Sequence, residues 1–159
     1  MSMKQSIDWD NLGFNAHETK SMYIAKFDSN GNCLDKGLVP YGDIKLSPAA
    51  TVLNYGQGAF EGTKAYETSK NQVVFFRLED NAKRFNNSCL RLCMPEIPNE
   101  IFVSAVKETV LDNLEYMPKK EQGSLYIRPL AFGTGPDLGV KPSSNYTFLV
   151  YVTPVGSYF

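Results

Sequence analysis

Apolar and polar positions along the chain follow two different periods, and the switch between them marks the elements. Met22-Tyr23-Ile24-Ala25-Lys26-Phe27 alternates as a strand does, and Ser29-Asn30-Gly31-Asn32 supplies turn-forming residues after it. Leu38-Val39-Pro40-Tyr41-Gly42 holds a proline, which confines it to a sheet edge or a loop. Residues 60–66 and 72–76 read as two strands of a hairpin. Leu78, Ala82, Phe85, Cys89 and Leu92 then step by four, three, four and three, which is one face of a helix, stopped by Pro95 and Pro98. Asn99 suits the N-cap of a second helix, whose apolar face is Phe102, Val106, Val110 and Leu114. Alternation returns at Ser124: Leu125, Ile127, Pro129 and Ala131 share one face, and Tyr126, Arg128, Leu130 and Phe132 the other. A long Gly/Pro/Ser-rich loop, 133–145, precedes a last strand at 146–153.

Strands flanking a helix pair predict an α+β domain, with a mostly antiparallel sheet and two helices on one face. The 159 residues fit one domain. Residues 1–20 read as a polar arm that docks through Trp9, Leu12 and Phe14.

Composition narrows the function classes. Hydrophobic residues make up 43% of the chain and aromatics 13%, enough for a packed core. Sixteen basic and seventeen acidic residues are interspersed, so nucleic acid and anionic membrane are not implied as partners. No apolar run reaches the roughly 18 residues that a bilayer span needs. The N-terminal residues lack the apolar core of a signal peptide, which implies the cytoplasm, or an organelle if a transit peptide has been removed. Three cysteines are an odd number for a disulfide framework, and with one histidine, His17, no metal site is expected. Cys89 and Cys93 read as core or near-core thiols.

One stretch resists the periodic reading. Leu53-Asn54-Tyr55-Gly56-Gln57-Gly58-Ala59-Phe60-Glu61-Gly62-Thr63-Lys64-Ala65-Tyr66 sets three glycines among large aromatics. Glycines there imply a sharp turn, a bulged strand or the close approach of another group. On position alone Arg84, one residue off the apolar stripe, is an ordinary solvated helix arginine. Tyr126 and Arg128 are equally consistent with a cross-strand pair on an exposed face.

The stretch from Asn54 to Tyr66 closely resembles the signature of branched-chain amino acid transaminases, the fold-type IV enzymes dependent on pyridoxal phosphate. Leu90-Arg91-Leu92-Cys93-Met94-Pro95, Ser124-Leu125-Tyr126-Ile127-Arg128-Pro129, Leu138-Gly139-Val140 and the C-terminal Pro154-Val155-Gly156-Ser157-Tyr158-Phe159 resemble that family in the same order. The resemblance implies that this chain is the N-terminal small domain of such an enzyme. The full protein would move the amino group of leucine, isoleucine or valine to 2-oxoglutarate.

It further implies that Arg84 binds the phosphate of pyridoxal phosphate. Tyr55, Phe60, Gly62, Tyr126, Arg128, Leu138 and Val140 would bind substrate, with Tyr55, Leu138 and Val140 completing a neighbouring subunit's pocket in a homodimer. Lys64 occupies a basic family position that is not the Schiff-base lysine. That lysine belongs to a large domain expected beyond Phe159, so no catalytic residue is expected here and the chain alone is expected to be inactive. Two other readings stand beside this one: a D-amino acid transaminase or aminodeoxychorismate lyase of the same fold, and a non-catalytic binding or assembly module.

Overall fold

A computed structural model describes residues 7–156. The first six residues of the expected arm, and Ser157–Phe159 of the C-terminal motif, lie outside the described residues. Seven strands form one sheet: β1 (Ser21–Asp28), β2 (Cys33–Pro40), β3 (Gly58–Phe60), β4 (Thr63–Glu67), β5 (Val73–Phe75), β6 (Ser124–Gly133) and β7 (Asn145–Val155). Their order is β2-β1-β7-β6-β4-β5, with β3 also on β6, and every pairing is antiparallel. β2 lies at the edge, where Pro40 removes no needed ladder donor. Among the described residues no helix is long and apolar enough to cross a membrane.

Helices α2 (Leu78–Arg91) and α3 (Asn99–Asp112) cover one face. Their inward residues meet Tyr23, Ala25 and Phe27 of β1, Leu125, Ile127 and Ala131 of β6, and Phe148, Val150 and Val152 of β7. At the centre Phe85, Phe102 and Phe148 have ring centroids 5.5–5.8 Å apart, within the range of favourable aromatic pairs. The opposite face carries a smaller cluster of Met22, Phe132 and Leu149, edged by Ile24, Val39 and Tyr41.

Several boundaries differ from the sequence reading. A one-and-a-half-turn helix, α1 (Thr51–Tyr55), precedes the glycine-rich stretch and ends at Gly56, whose φ of 65° lies in the left-handed region that glycine enters without a Cβ penalty. Pro98, not Asn99, caps α3: its carbonyl accepts the Ile101 and Phe102 N–H groups, and Asn99 is the first helical residue. Leu114 falls in a short 3-10 turn, Leu114–Tyr116, and is 43% exposed, so it does not extend the apolar face of α3. α2 ends at Arg91, before either proline, because Cys93 turns the backbone to a φ of 54°. That turn leaves Cys93 exposed rather than in the core, while Cys89 is buried.

The expected single strand at 60–66 is interrupted at Glu61 and Gly62. Phe60 pairs with Leu130 and Thr63 with Ile127, so the register on β6 is the same on both sides of the break. Opposite the gap stands Pro129, which cannot donate; only the Glu61 N–H bridges it, to the Pro129 carbonyl at 2.8 Å.

Candidate functional site

The alternation of β6 sends Tyr126 and Arg128 to the side of the sheet away from α2 and α3, while their neighbours Leu125 and Ile127 enter the helix-covered core. Arg128 Nη2 donates to the Tyr126 hydroxyl at 2.9 Å. The guanidinium carbon lies 4.5 Å from the Phe60 ring centroid and 5.3 Å from that of Tyr126, a cation–π arrangement on two sides. Its Nε is buried without a hydrogen-bond partner.

Gly62 makes room for this pair. A Cβ there would stand 2.3 Å from the Tyr126 hydroxyl oxygen, closer than side chains tolerate. Phe14 of the N-terminal arm closes the far side, its ring 5.1 Å from Tyr126 and edge-on. The arm is held by the Gly13 carbonyl, which accepts the Gly156 N–H at 2.8 Å, and by His17 N–H donating to Thr153 Oγ1 at 2.9 Å.

One residue back, Glu61 points to the helix side. It is 5% exposed, and Arg84 of α2 grips it twice: Nε to Oε2 at 2.7 Å and Nη2 to Oε1 at 2.5 Å. Oε1 also accepts the Gly62 N–H at 2.8 Å, an amide that the register turns away from β6. Burial opposes ionisation of Glu61, but the Arg84 hydrogen bonds, the Gly62 N–H, the Arg84 charge and Asn81 outweigh it and hold the carboxyl below its usual range. Arg84 remains 69% exposed, so its other donors face an open cleft of about 500 Å³ between β4 and α2, with Lys64, Arg77 and Tyr126 among its walls. Arg77 adopts a φ of 52° at the start of α2 and its guanidinium meets Asp80 at 2.5 Å.

Phe60, Glu61 and Gly62 thus contact Arg128, Arg84 and Tyr126 respectively. The remaining expected site residues form a second group. The Tyr55 hydroxyl donates to the Leu138 carbonyl. Val140 lines a shallow cleft with Tyr55, and Leu138 and Val140 are 84% and 88% exposed. Although their side chains face outward, their loop is pinned. Asp137 accepts the Ser144 N–H at 2.8 Å and pairs with Lys141 at 3.1 Å.

Gln57 ties this loop to the body. Its Oε1 accepts the Thr51 hydroxyl at 2.9 Å and the Ser143 N–H at 3.2 Å, and its Nε2 donates to the Leu92 carbonyl at 2.9 Å. Sequence reasoning missed Glu61 and Gln57, and it gave Phe14 a docking role without placing it beside Tyr126. Glu61 was open to notice, as the one acid between Leu53 and Tyr66.

The fold is that of the small domain of the fold-type IV transaminases. No protein-family model matches the chain. It is 50% identical over 153 residues to the chloroplastic branched-chain-amino-acid aminotransferase 5 of Arabidopsis thaliana, covering 96% of this chain and 37% of that protein. It is 43% identical over 156 residues to the branched-chain-amino-acid aminotransferase of Helicobacter pylori, covering 98% of this chain and 46% of that one. Among solved structures, the T.th. branched-chain amino acid aminotransferase with pyridoxamine 5′-phosphate superposes with a TM-score of 0.67 at 33% identity, over 89% of this chain and 41% of that one. The same protein is solved with N-(5′-phosphopyridoxyl)-L-glutamate and with 4-methylvaleric acid. Along nearly all its length this chain is a homologue of the branched-chain amino acid aminotransferases, matching their N-terminal part. It spans less than half the length of the curated relatives it matches.

Proposed function

We propose that the protein carrying this chain is a pyridoxal-phosphate-dependent transaminase that moves the amino group of leucine, isoleucine or valine to 2-oxoglutarate. The observation that carries this reading is the arrangement around residues 60–62, which sets an exposed arginine edge beside an arginine and a phenol framed by aromatic walls. The residues suit the cofactor's phosphate: Arg84 is fixed on one edge by Glu61 and offers its remaining N–H groups to the cleft. Bound there, pyridoxal phosphate would supply the electron sink that transamination needs.

The chain's own residues would bind and orient. Tyr126 and Arg128 would meet substrate carboxylates, and the unpartnered Arg128 Nε is a further donor for such a group. Phe60 would furnish an apolar wall for an aliphatic side chain. Tyr55, Leu138 and Val140 would complete the pocket of a second subunit, so a homodimer is part of the proposal. The T.th. relative's complexes with a glutamate adduct and with a branched aliphatic acid support a pocket that takes both substrate types. The chloroplastic relative supports an organellar location.

The test is donor preference of the full-length protein with 2-oxoglutarate as acceptor. Leucine, isoleucine and valine are expected to exceed D-alanine by kcat/KM. D-Alanine as the better donor would transfer the assignment to a D-amino acid transaminase, and no amino transfer at all would favour a binding module.

A further inference from the structure

We infer that Glu61 is a positioning residue for the cofactor's phosphate, acting through Arg84. This inference rests on the proposed role of Arg84. An arginine on a helix surface ordinarily samples many rotamers, and a phosphate contact must then fix all of them. Here the fixing is done beforehand. Glu61 engages Nε and Nη2, the two groups along one edge of the guanidinium, and leaves Nη1 and the second Nη2 hydrogen for the cleft.

Glu61 is itself held rigidly. Its N–H is bonded to the Pro129 carbonyl, its carboxylate accepts the Gly62 N–H, and 5% of it reaches solvent. A buried carboxylate in that position serves no packing purpose that glutamine or methionine could not serve, and it costs desolvation. Its negative charge also lies on the far edge of the guanidinium from the cleft, so it orients Arg84 without standing where a phosphate would.

The experiment is a double-mutant cycle in the full-length protein, read as equilibrium affinity for pyridoxal 5′-phosphate by tryptophan-fluorescence quenching, with the melting temperature of the cofactor-free protein as a second readout. Glu61→Gln keeps the shape and removes the charge. It is expected to weaken affinity about tenfold when Arg84 is present. In an Arg84→Ala background it is expected to change affinity by less than about twofold, because the group it positions is gone.

Equal loss in both backgrounds would show that Glu61 acts only through the fold, and would overturn the inference. Unchanged affinity with Arg84 present would also overturn it, and so would tighter binding, which would mean that the carboxylate competes with the phosphate. If Arg84→Ala alone leaves affinity unchanged, the reading of Arg84 falls and this inference falls with it. If Arg84→Ala weakens binding and Glu61→Gln does not, only the inference falls. Should Glu61→Gln fail to fold, Glu61→Asp, which withdraws the carboxylate by one methylene, carries the same cycle.

Discussion

Cys89 has no exposed surface, and burial pushes its thiol up to about 12, so it carries almost no thiolate at neutral pH. Cys33 and Cys93 are exposed. Thiol counting with a chromogenic disulfide is therefore expected to register two fast thiols in the native chain and a third only after denaturant. A third fast thiol would mean that the α2 core opens readily. Sequence reading placed Cys89 correctly, because it falls on the apolar helix stripe. It misplaced Cys93, because a left-handed backbone at a non-glycine residue leaves no mark in hydrophobic spacing. The same limit hid Glu61. A single acid in an aromatic motif has no period, and its partner Arg84 lies far along the chain on another element. Tyr126 and Arg128 were legible as neighbours, since strand parity alone puts them side by side.

Between elements, Asn113 is the buried side chain that joins α3 to β1, beside the Asp112 contacts to Lys20 and Ser21. Asn113 is fully buried just past the end of α3. Its Oδ1 accepts the Lys20 N–H at 2.8 Å and the Ser21 N–H at 3.1 Å, and its Nδ2 donates to the Ser21 and Thr109 carbonyls at 3.1 and 2.7 Å. Asn113→Ala would leave several of those groups dry and unpaired, at a cost of roughly 3 kcal/mol. Urea denaturation checks this; a midpoint unchanged from the parent chain would mean that water replaces the amide. The long helices and strands were legible because burial on one side imposes a period over many residues. α1 was not, since five residues are too few to display one. The break between β3 and β4 was not either, because what interrupts the strand is a proline on its partner.

Among the described residues, the two long helices close one side of the sheet, while the other carries a smaller cluster covered in part by α1. Phe60, Leu138 and Val140 are among the large apolar side chains left exposed, and a monomer seldom leaves such groups uncovered without a use. If two subunits share pockets, mixing full-length Arg84→Ala with full-length Val140→Asp is expected to restore part of the activity that each lacks. The hybrid then holds one pocket with Arg84 intact and a neighbour's Val140 intact. No recovery after demonstrated subunit exchange would mean that each pocket is built within one chain.

The unbroken register through Glu61 and Gly62 has a last consequence. Which chemistry reaches which side of the sheet is set there by counting. Insert one residue between Phe60 and Thr63, and everything on one side of the insertion must swap sides: either the carboxylate swings away from Arg84, or the lysine and tyrosine of β4 trade places with the core alanine between them. Insert two, and the phase is recovered. Length variation in this segment is thus tolerable only in even steps, a constraint on how the motif can be lengthened or trimmed that no single contact would reveal.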